Sequence, residues 1–443
     1  MRWKVIVSVL GLVALCGLFG MIGAAAILDA AAGETKLDPP VPDATLIARG
    51  HYLARLGDCA ACHSISGRPA FSGGVRFATP FGNIYSTNIT PDPNNGIGRF
   101  TLADFDRALR FGVADGHSLY PAMPFPSYAN TKPSDVAALY AYFKYGVAPA
   151  ATPNVKNEIP FPLSMRWPLA FWRLLFAPRP QPFVASARAD PEVARGAYLV
   201  EGLGHCGECH TPRNLALNVK AQRATDGPLF LSGALVDTYF APSLRQGGAD
   251  TLGSWNEKDV VAFLKTGANP HGIVFGSMTD VIVHSTQYAT NADALAIAKY
   301  LKTLSNPAGP STQTYAYDGR EHTALKNGDA SRIGARVYID NCAACHRTDG
   351  LGYGWIFPSL AGNPVVEAPN SASLISVVLT GSRTPRTPET PAQFSMPAFA
   401  WRLNDQDVAD VLSFIRSSWG NSAANTSAAE VATFRKTLVP SEH

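Results

Sequence analysis

Cys59-Ala60-Ala61-Cys62-His63, Cys206-Gly207-Glu208-Cys209-His210 and Cys342-Ala343-Ala344-Cys345-His346 are three copies of one pattern, and they hold six of the seven cysteines in this chain of 443 residues. A second shared stretch lies upstream of each: Ala48-Arg49-Gly50-His51-Tyr52-Leu53, Ala194-Arg195-Gly196-Ala197-Tyr198-Leu199, and the looser Gly334-Ala335-Arg336-Val337-Tyr338. Successive copies stand roughly 140 residues apart, the size of a small domain and far beyond the ~20–50-residue period of a solenoid. Ile47, Tyr52 and Leu56 are apolar positions of a short helix, which delivers the cysteines at its C-terminal end. Downstream of each pair comes one methionine in a loop of small residues or proline: Met123 in Tyr120-Pro121-Ala122-Met123-Pro124, Met278 in Phe275-Gly276-Ser277-Met278-Thr279, and Met396 in Phe394-Ser395-Met396-Pro397. Helical closing segments are expected at Pro133–Phe143, Ala292–Leu304 and Asp405–Ser417, with Ser134, Asn291 and Asn404 as their N-caps.

Cys-x-x-Cys-His is the attachment signal for c-type haem. Two thiols about one helical turn apart match the two vinyl groups on the porphyrin edge, and the adjacent imidazole reaches the iron from one face. Covalent capture fixes the cofactor without a large enclosing core. The opposite face of the iron needs a ligand, and a thioether sulfur on a loop supplies one. His/Met ligation fills both axial positions and raises the reduction potential, which points to electron transfer rather than oxygen or peroxide chemistry. The expected haem-attaching residues are therefore Cys59, Cys62, Cys206, Cys209, Cys342 and Cys345. The expected axial pairs are His63 with Met123, His210 with Met278, and His346 with Met396. Rival sixth ligands are His117 in the first copy and His271 or His284 in the second. A thiol-redox pair lacks the βαβ setting it needs, and a zinc site lacks a second ligand pair at finger spacing. A stand-alone multihaem enzyme such as a peroxidase is the alternative function; it would need one iron with an open face.

Composition limits the other classes. With 46% hydrophobic residues the chain has ample core material, which excludes long disorder. A net charge of +3 and no basic cluster argue against a nucleic-acid partner. Gly (38) and Pro (34) exceed their usual combined share of about 12%, as expected for short helices joined by shaped loops. At the N-terminus Arg2 and Lys4 precede an uncharged run, Val5–Leu28, ended by Asp29. As a helix this run reaches roughly 36 Å at ~1.5 Å per residue, longer than a ~30 Å hydrocarbon core and than the apolar region of a cleaved signal. It predicts a retained signal anchor with the remainder of the chain outside the cytoplasm, although Ala24-Ala25-Ala26 and Ala30-Ala31-Ala32 offer cleavage sites. Cys16, inside the run, reads as an apolar side chain. The expected organisation is an anchor (1–35), a first haem domain (36–148), an aromatic and Pro-rich linker (149–190), a second haem domain (191–305), a linker (306–330), a third haem domain (331–420) and a flexible tail (421–443). The Trp-, Phe- and Leu-rich stretch 161–176 is expected either to pack between domains or to lie against a membrane surface or partner.

These motifs resemble the three-haem cytochrome c subunit of bacterial membrane-bound dehydrogenases acting on alcohols, aldehydes, gluconate, sorbitol or fructose. Beside the haem motifs, the resemblance rests on Tyr85-Ser86-Thr87-Asn88-Ile89-Thr90-Pro91-Asp92-Pro93, Pro191-Glu192-Val193-Ala194-Arg195-Gly196, Thr211-Pro212-Arg213, Ala361-Gly362-Asn363-Pro364 and Pro162-Leu163-Ser164-Met165-Arg166-Trp167-Pro168. It implies an all-α fold of three tandem cytochrome c-like domains behind the N-terminal transmembrane or signal helix, with three haem c. It implies as partners a large catalytic subunit carrying PQQ, a flavin or a molybdenum cofactor, a small subunit, ubiquinone and membrane lipid. The place it implies is the periplasmic side of the cytoplasmic membrane, in a respiratory chain. An alcohol or aldehyde dehydrogenase is the preferred host.

Overall fold

A computed structural model describes residues 2–33, 41–185, 190–236, 238–248, 251–305 and 315–437, with backbone alone for 2–14 and 254. Glu34, Asp38, the start of the second linker and the end of the tail lie outside the described residues. The chain forms two compact units, Met1–Val184 and Ala185–His443.

The first unit carries one copy of the motif. Its attachment helix, Ala44–Leu56, starts at Asp43, whose carboxylate accepts the Leu46 N–H, and buries Leu53, Ala54 and Leu56. It crosses the closing helix Pro133–Ala141 at Gly50, so closely that a Cβ there would lie 1.9 Å from the Ala138 carbonyl oxygen. The same crossing recurs twice in the second unit. Helix Pro191–Tyr198 meets Asn291–Thr303 at Gly196, where a Cβ would lie 2.0 Å from the Ala296 oxygen; Gly334, capping helix Ala335–Asn341, meets Asp405–Arg416 with 2.1 Å to the Asp410 oxygen. No side chain fits at these points, so glycine sets how near the paired helices approach. The residue before the glycine pins the first two crossings. Arg49 pairs with Asp135, and the Arg195 guanidinium forks onto Asp293 with two 2.8 Å hydrogen bonds, each carboxylate standing in the first turn of its closing helix. At the third crossing Ile333 occupies that position, 76% exposed, and the core does the holding: Tyr338, Phe414 and Trp419 interlock with ring centroids 5.2–5.8 Å apart. Replacing Arg195 by Leu strands a mostly buried carboxylate. We expect a loss of about 1.5–3 kcal/mol, read as a lower urea midpoint at unchanged slope.

The closing helices begin slightly differently from expectation. Pro133 takes the first helical position, so the cap falls on Lys132 rather than Ser134, and the Thr290 hydroxyl caps the second helix ahead of Asn291. Asn404 caps the third through a reciprocal box with Asp407.

The expected fold class needs correction in three respects. Beside nineteen α-helices the described residues form five two-stranded antiparallel ladders. One joins Val113–Ala114 to His117–Ser118 through Asp115-Gly116, both at positive φ (49° and 75°), the Asp-Gly signature of a tight hairpin. The compact units number two rather than three. Finally, among the described residues no helix is long and apolar enough to cross a membrane. The N-terminal helix runs Arg2–Ala30, but its last turn is built into the first unit. Asp29 is 4% exposed; it accepts the Ser118 hydroxyl at 2.6 Å and the Arg173 guanidinium at 3.2 Å, while Arg173 also donates to the Leu28 carbonyl at 2.8 Å. Arg173 stands on helix Pro168–Phe176, which packs on the N-terminal helix with Ala170 fully buried. The aromatic linker is thus packed on one side, whereas Phe161, Leu163, Leu174 and Leu175 stay exposed.

Candidate functional site

Each attachment helix hands over to a single turn bearing the motif: Cys59–His63, Gly207–His210 after Cys206, and Ala343–His346 after Cys342. All seven cysteines are free thiols. Burial pushes the first thiol of every pair, Cys59, Cys206 and Cys342, up to about 12, so each is a neutral S–H held in apolar surroundings. Burial also lowers the basicity of His63, His210 and His346, which keeps the imidazoles neutral.

The three histidines share one restraint. The Nδ1 of His63 lies 2.7 Å from the Thr87 carbonyl oxygen, that of His210 2.7 Å from Pro242, and that of His346 3.0 Å from Pro358. A carbonyl only accepts, so Nδ1 carries the proton and Nε2 presents its lone pair. This is the tautomer a metal ligand needs, oriented by a backbone partner. A backbone N–H clamps the main chain of each histidine as well: Gly73 to the His63 carbonyl at 2.9 Å, Gly233 to His210 at 2.8 Å and Gly352 to His346 at 3.3 Å. Paired free thiols beside a neutral, oriented imidazole fit a covalently bound haem. Among the described residues no group of three or more His, Cys, Asp or Glu side chains gathers as a bare metal ion would require.

The methionines occupy loops or element ends, all half-buried. Met123 sits in the turn before Phe125–Tyr128, Met278 opens the helix Met278–His284, and Met396 pairs with Ser382 in a two-residue ladder. In the third copy Met396 and Cys342 both pack against the same hydrophobic core. The rival ligands stand otherwise. His271 is stacked on Trp255 (5.6 Å, 16°) with Nε2 3.2 Å from the Asp259 carboxylate, and His117 lies exposed on its hairpin.

Sequence reasoning missed the acceptors Thr87, Pro242 and Pro358 and the role of the three crossing glycines. A signal was present. Pro-Ser-Leu occurs at 242–244 and again at 358–360, a repeat that marks two of the three carbonyls.

Comparison with known proteins places these features. The cytochrome c family model matches residues 331–419, one stretch against the three tandem domains expected. The chain is 48% identical over 420 residues to the cytochrome c subunit of the quinone alcohol dehydrogenase of Gluconacetobacter polyoxogenes, covering 94% of this chain and 90% of that protein. It is 51% identical over 397 residues to the gluconate 2-dehydrogenase cytochrome c subunit of Pantoea cypripedii (88% and 90% covered), and 37% identical over 418 residues to the fructose dehydrogenase cytochrome subunit of Gluconobacter japonicus (90% and 84%). These relatives are electron-transfer subunits, and the peroxidase alternative finds no support among them. The chain belongs to the cytochrome c subunits of the alcohol, gluconate and fructose dehydrogenases: a haem c protein that carries electrons for a separate catalytic subunit.

Proposed function

We propose that the chain holds three haem c and relays single electrons from the catalytic subunit of an alcohol or aldehyde dehydrogenase to ubiquinone. Its haem-bearing parts would stand on the periplasmic side of the cytoplasmic membrane, in contact with lipid and accompanied by a small subunit. The observation that carries this reading is the threefold recurrence of the oriented histidine beside paired free thiols. Cys59 and Cys62, Cys206 and Cys209, and Cys342 and Cys345 would form the thioether bonds, and His63, His210 and His346 through Nε2, with Met123, Met278 and Met396 through sulfur, would hold the irons. Haem c, when bound, supplies an iron that accepts and releases one electron at a time. The protein supplies the rest: the Thr87, Pro242 and Pro358 carbonyls hold the imidazole rings, and burial keeps water from them. The alcohol dehydrogenase relative favours an alcohol as host substrate, with gluconate or fructose as the competing reading.

Purification of the native complex, identification of the large subunit's cofactor as PQQ, flavin or molybdenum, and addition of ethanol, acetaldehyde, gluconate or fructose in turn test this. Ethanol or acetaldehyde is expected to reduce the haems; reduction by gluconate or fructose alone would reassign the host. Met278→Ala is expected to lower the potential of one centre of three and leave the Cys206 and Cys209 thioethers intact, checked by redox titration and peptide mass.

A further inference from the structure

The Pro242 carbonyl that holds His210 directly follows a short strand, Tyr239–Ala241, paired on one side with Ala234–Val236 in antiparallel register. The third copy braces this strand from within the same compact unit, through helix Ala372–Thr380. The Ser373 hydroxyl accepts the Phe240 N–H at 2.8 Å and donates to the Phe240 carbonyl at 3.0 Å. One turn on, the Ser376 hydroxyl donates to the Thr238 carbonyl at 2.5 Å. A serine inside a helix commonly bonds back to its own backbone; here two of them reach across instead, and Ser373 does for Phe240 what a neighbouring strand would do. Both serines are buried, where a lost partner costs more than at the surface. The strand also touches the other ligand loop: a Cβ on Gly276 would lie 2.8 Å from the Tyr239 ring, which packs edge-on against Phe275 at 6.0 Å, just before Met278. The first copy braces its corresponding strand differently. Gly82–Tyr85 leads to the Thr87 carbonyl that holds His63, and the segment after the closing helix bonds along it: the Glu158 N–H donates to the Asn83 carbonyl at 2.8 Å, and Asn157 Oδ1 accepts the Tyr85 N–H at 2.8 Å. In both copies the strand leading to the histidine's acceptor is clamped, and in the second the clamp comes from another copy.

We propose that Ser373 is a positioning residue for the second centre: through Phe240 it fixes the Pro242 carbonyl on the Nδ1–H of His210, so that the third copy completes the second site. The inference rests on the haem reading above and adds a residue to it that lies outside the second copy. An acceptor held on Nδ1 raises the basicity of a metal-bound imidazole. Loosening the carbonyl makes Nε2 a poorer donor to iron, which favours the reduced state and raises the potential.

The test combines redox titration of the purified native complex with hydrogen exchange of the peptide spanning residues 238–243. Ser373→Ala is expected to keep the wild-type haem content and to speed exchange of the Phe240 amide about threefold to tenfold. The potential of one centre should rise, the same centre that Met278→Ala lowers, with the other two unchanged. Ser373→Thr, which keeps the hydroxyl, should restore both readouts. Ser376→Ala removes only the neighbouring bond; it should shift the same centre in the same direction by less, and it carries the test if Ser373→Ala does not fold. Faster exchange with every potential unchanged makes the clamp purely structural and overturns the proposal, as does a shift confined to the centre that Met396→Ala moves. A wild-type peptide spanning residues 206–210 that carries no haem overturns the haem reading, and the proposal with it.

Discussion

A chain carrying Cys206→Ser together with Cys209→Ser is expected to lose one haem of three and to stop relaying electrons, while the other two attachment sites load normally. A serine hydroxyl forms no thioether, so the cofactor would be held at this site only by His210 and non-covalent contacts. His210 would not compensate, because its ring is held by the Pro242 carbonyl and offers a single donor atom, Nε2. Electron transfer through a series of centres fails when an intermediate one is missing, so substrate-dependent quinone reduction should fall by at least about a hundredfold, roughly 2.7 kcal/mol or more in barrier. Peptide mass around residues 206–210 and steady-state turnover read the two effects separately. Full turnover with the second site empty would show that this site lies off the electron path.

The second large effect is structural. Gly196→Val places a branched Cβ 2.0 Å from the Ala296 carbonyl oxygen and 2.7 Å from the Tyr300 side chain, so the two helices must move apart to admit it. Overpacking of this kind costs about 1–3 kcal/mol in ordinary cores, and a backbone obstacle puts this case at or above the upper end. For a unit of this size about 3 kcal/mol corresponds to a fall in Tm of roughly 6–12 °C. Because the same helix delivers Cys206, haem loading at the second site should fall with stability. Gly319→Ala is the control: φ there is −80°, and the nearest atom to an added Cβ is 3.6 Å away, so its Tm should stay within about 1 °C.

The haem chemistry was legible in the sequence because it is local. Two thiols and an imidazole within five residues declare themselves whatever the rest of the chain does. The groups that orient the imidazoles are backbone carbonyls, which have no side-chain signature, and they stand 24, 32 and 12 residues from their histidines. The crossing glycines were quoted as part of a repeat, yet their necessity depends on Ala138, Ala296 and Asp410, which only the folded chain brings near. The same reason explains the N-terminal helix. Hydropathy weighs each residue alone, and Asp29 looked like the end of a membrane run, whereas its partner Arg173 lies 144 residues further on. Charge and hydroxyl together, Asp29 with Arg173 and Ser118, build that helix end into the protein.

Haem stoichiometry of the native chain is the most direct test of the account. A pyridine haemochrome assay against protein determined by amino-acid analysis is predicted to return three haem equivalents per polypeptide, all covalently retained after acid–acetone extraction. A value of two or fewer, or haem released by the extraction, would contradict it.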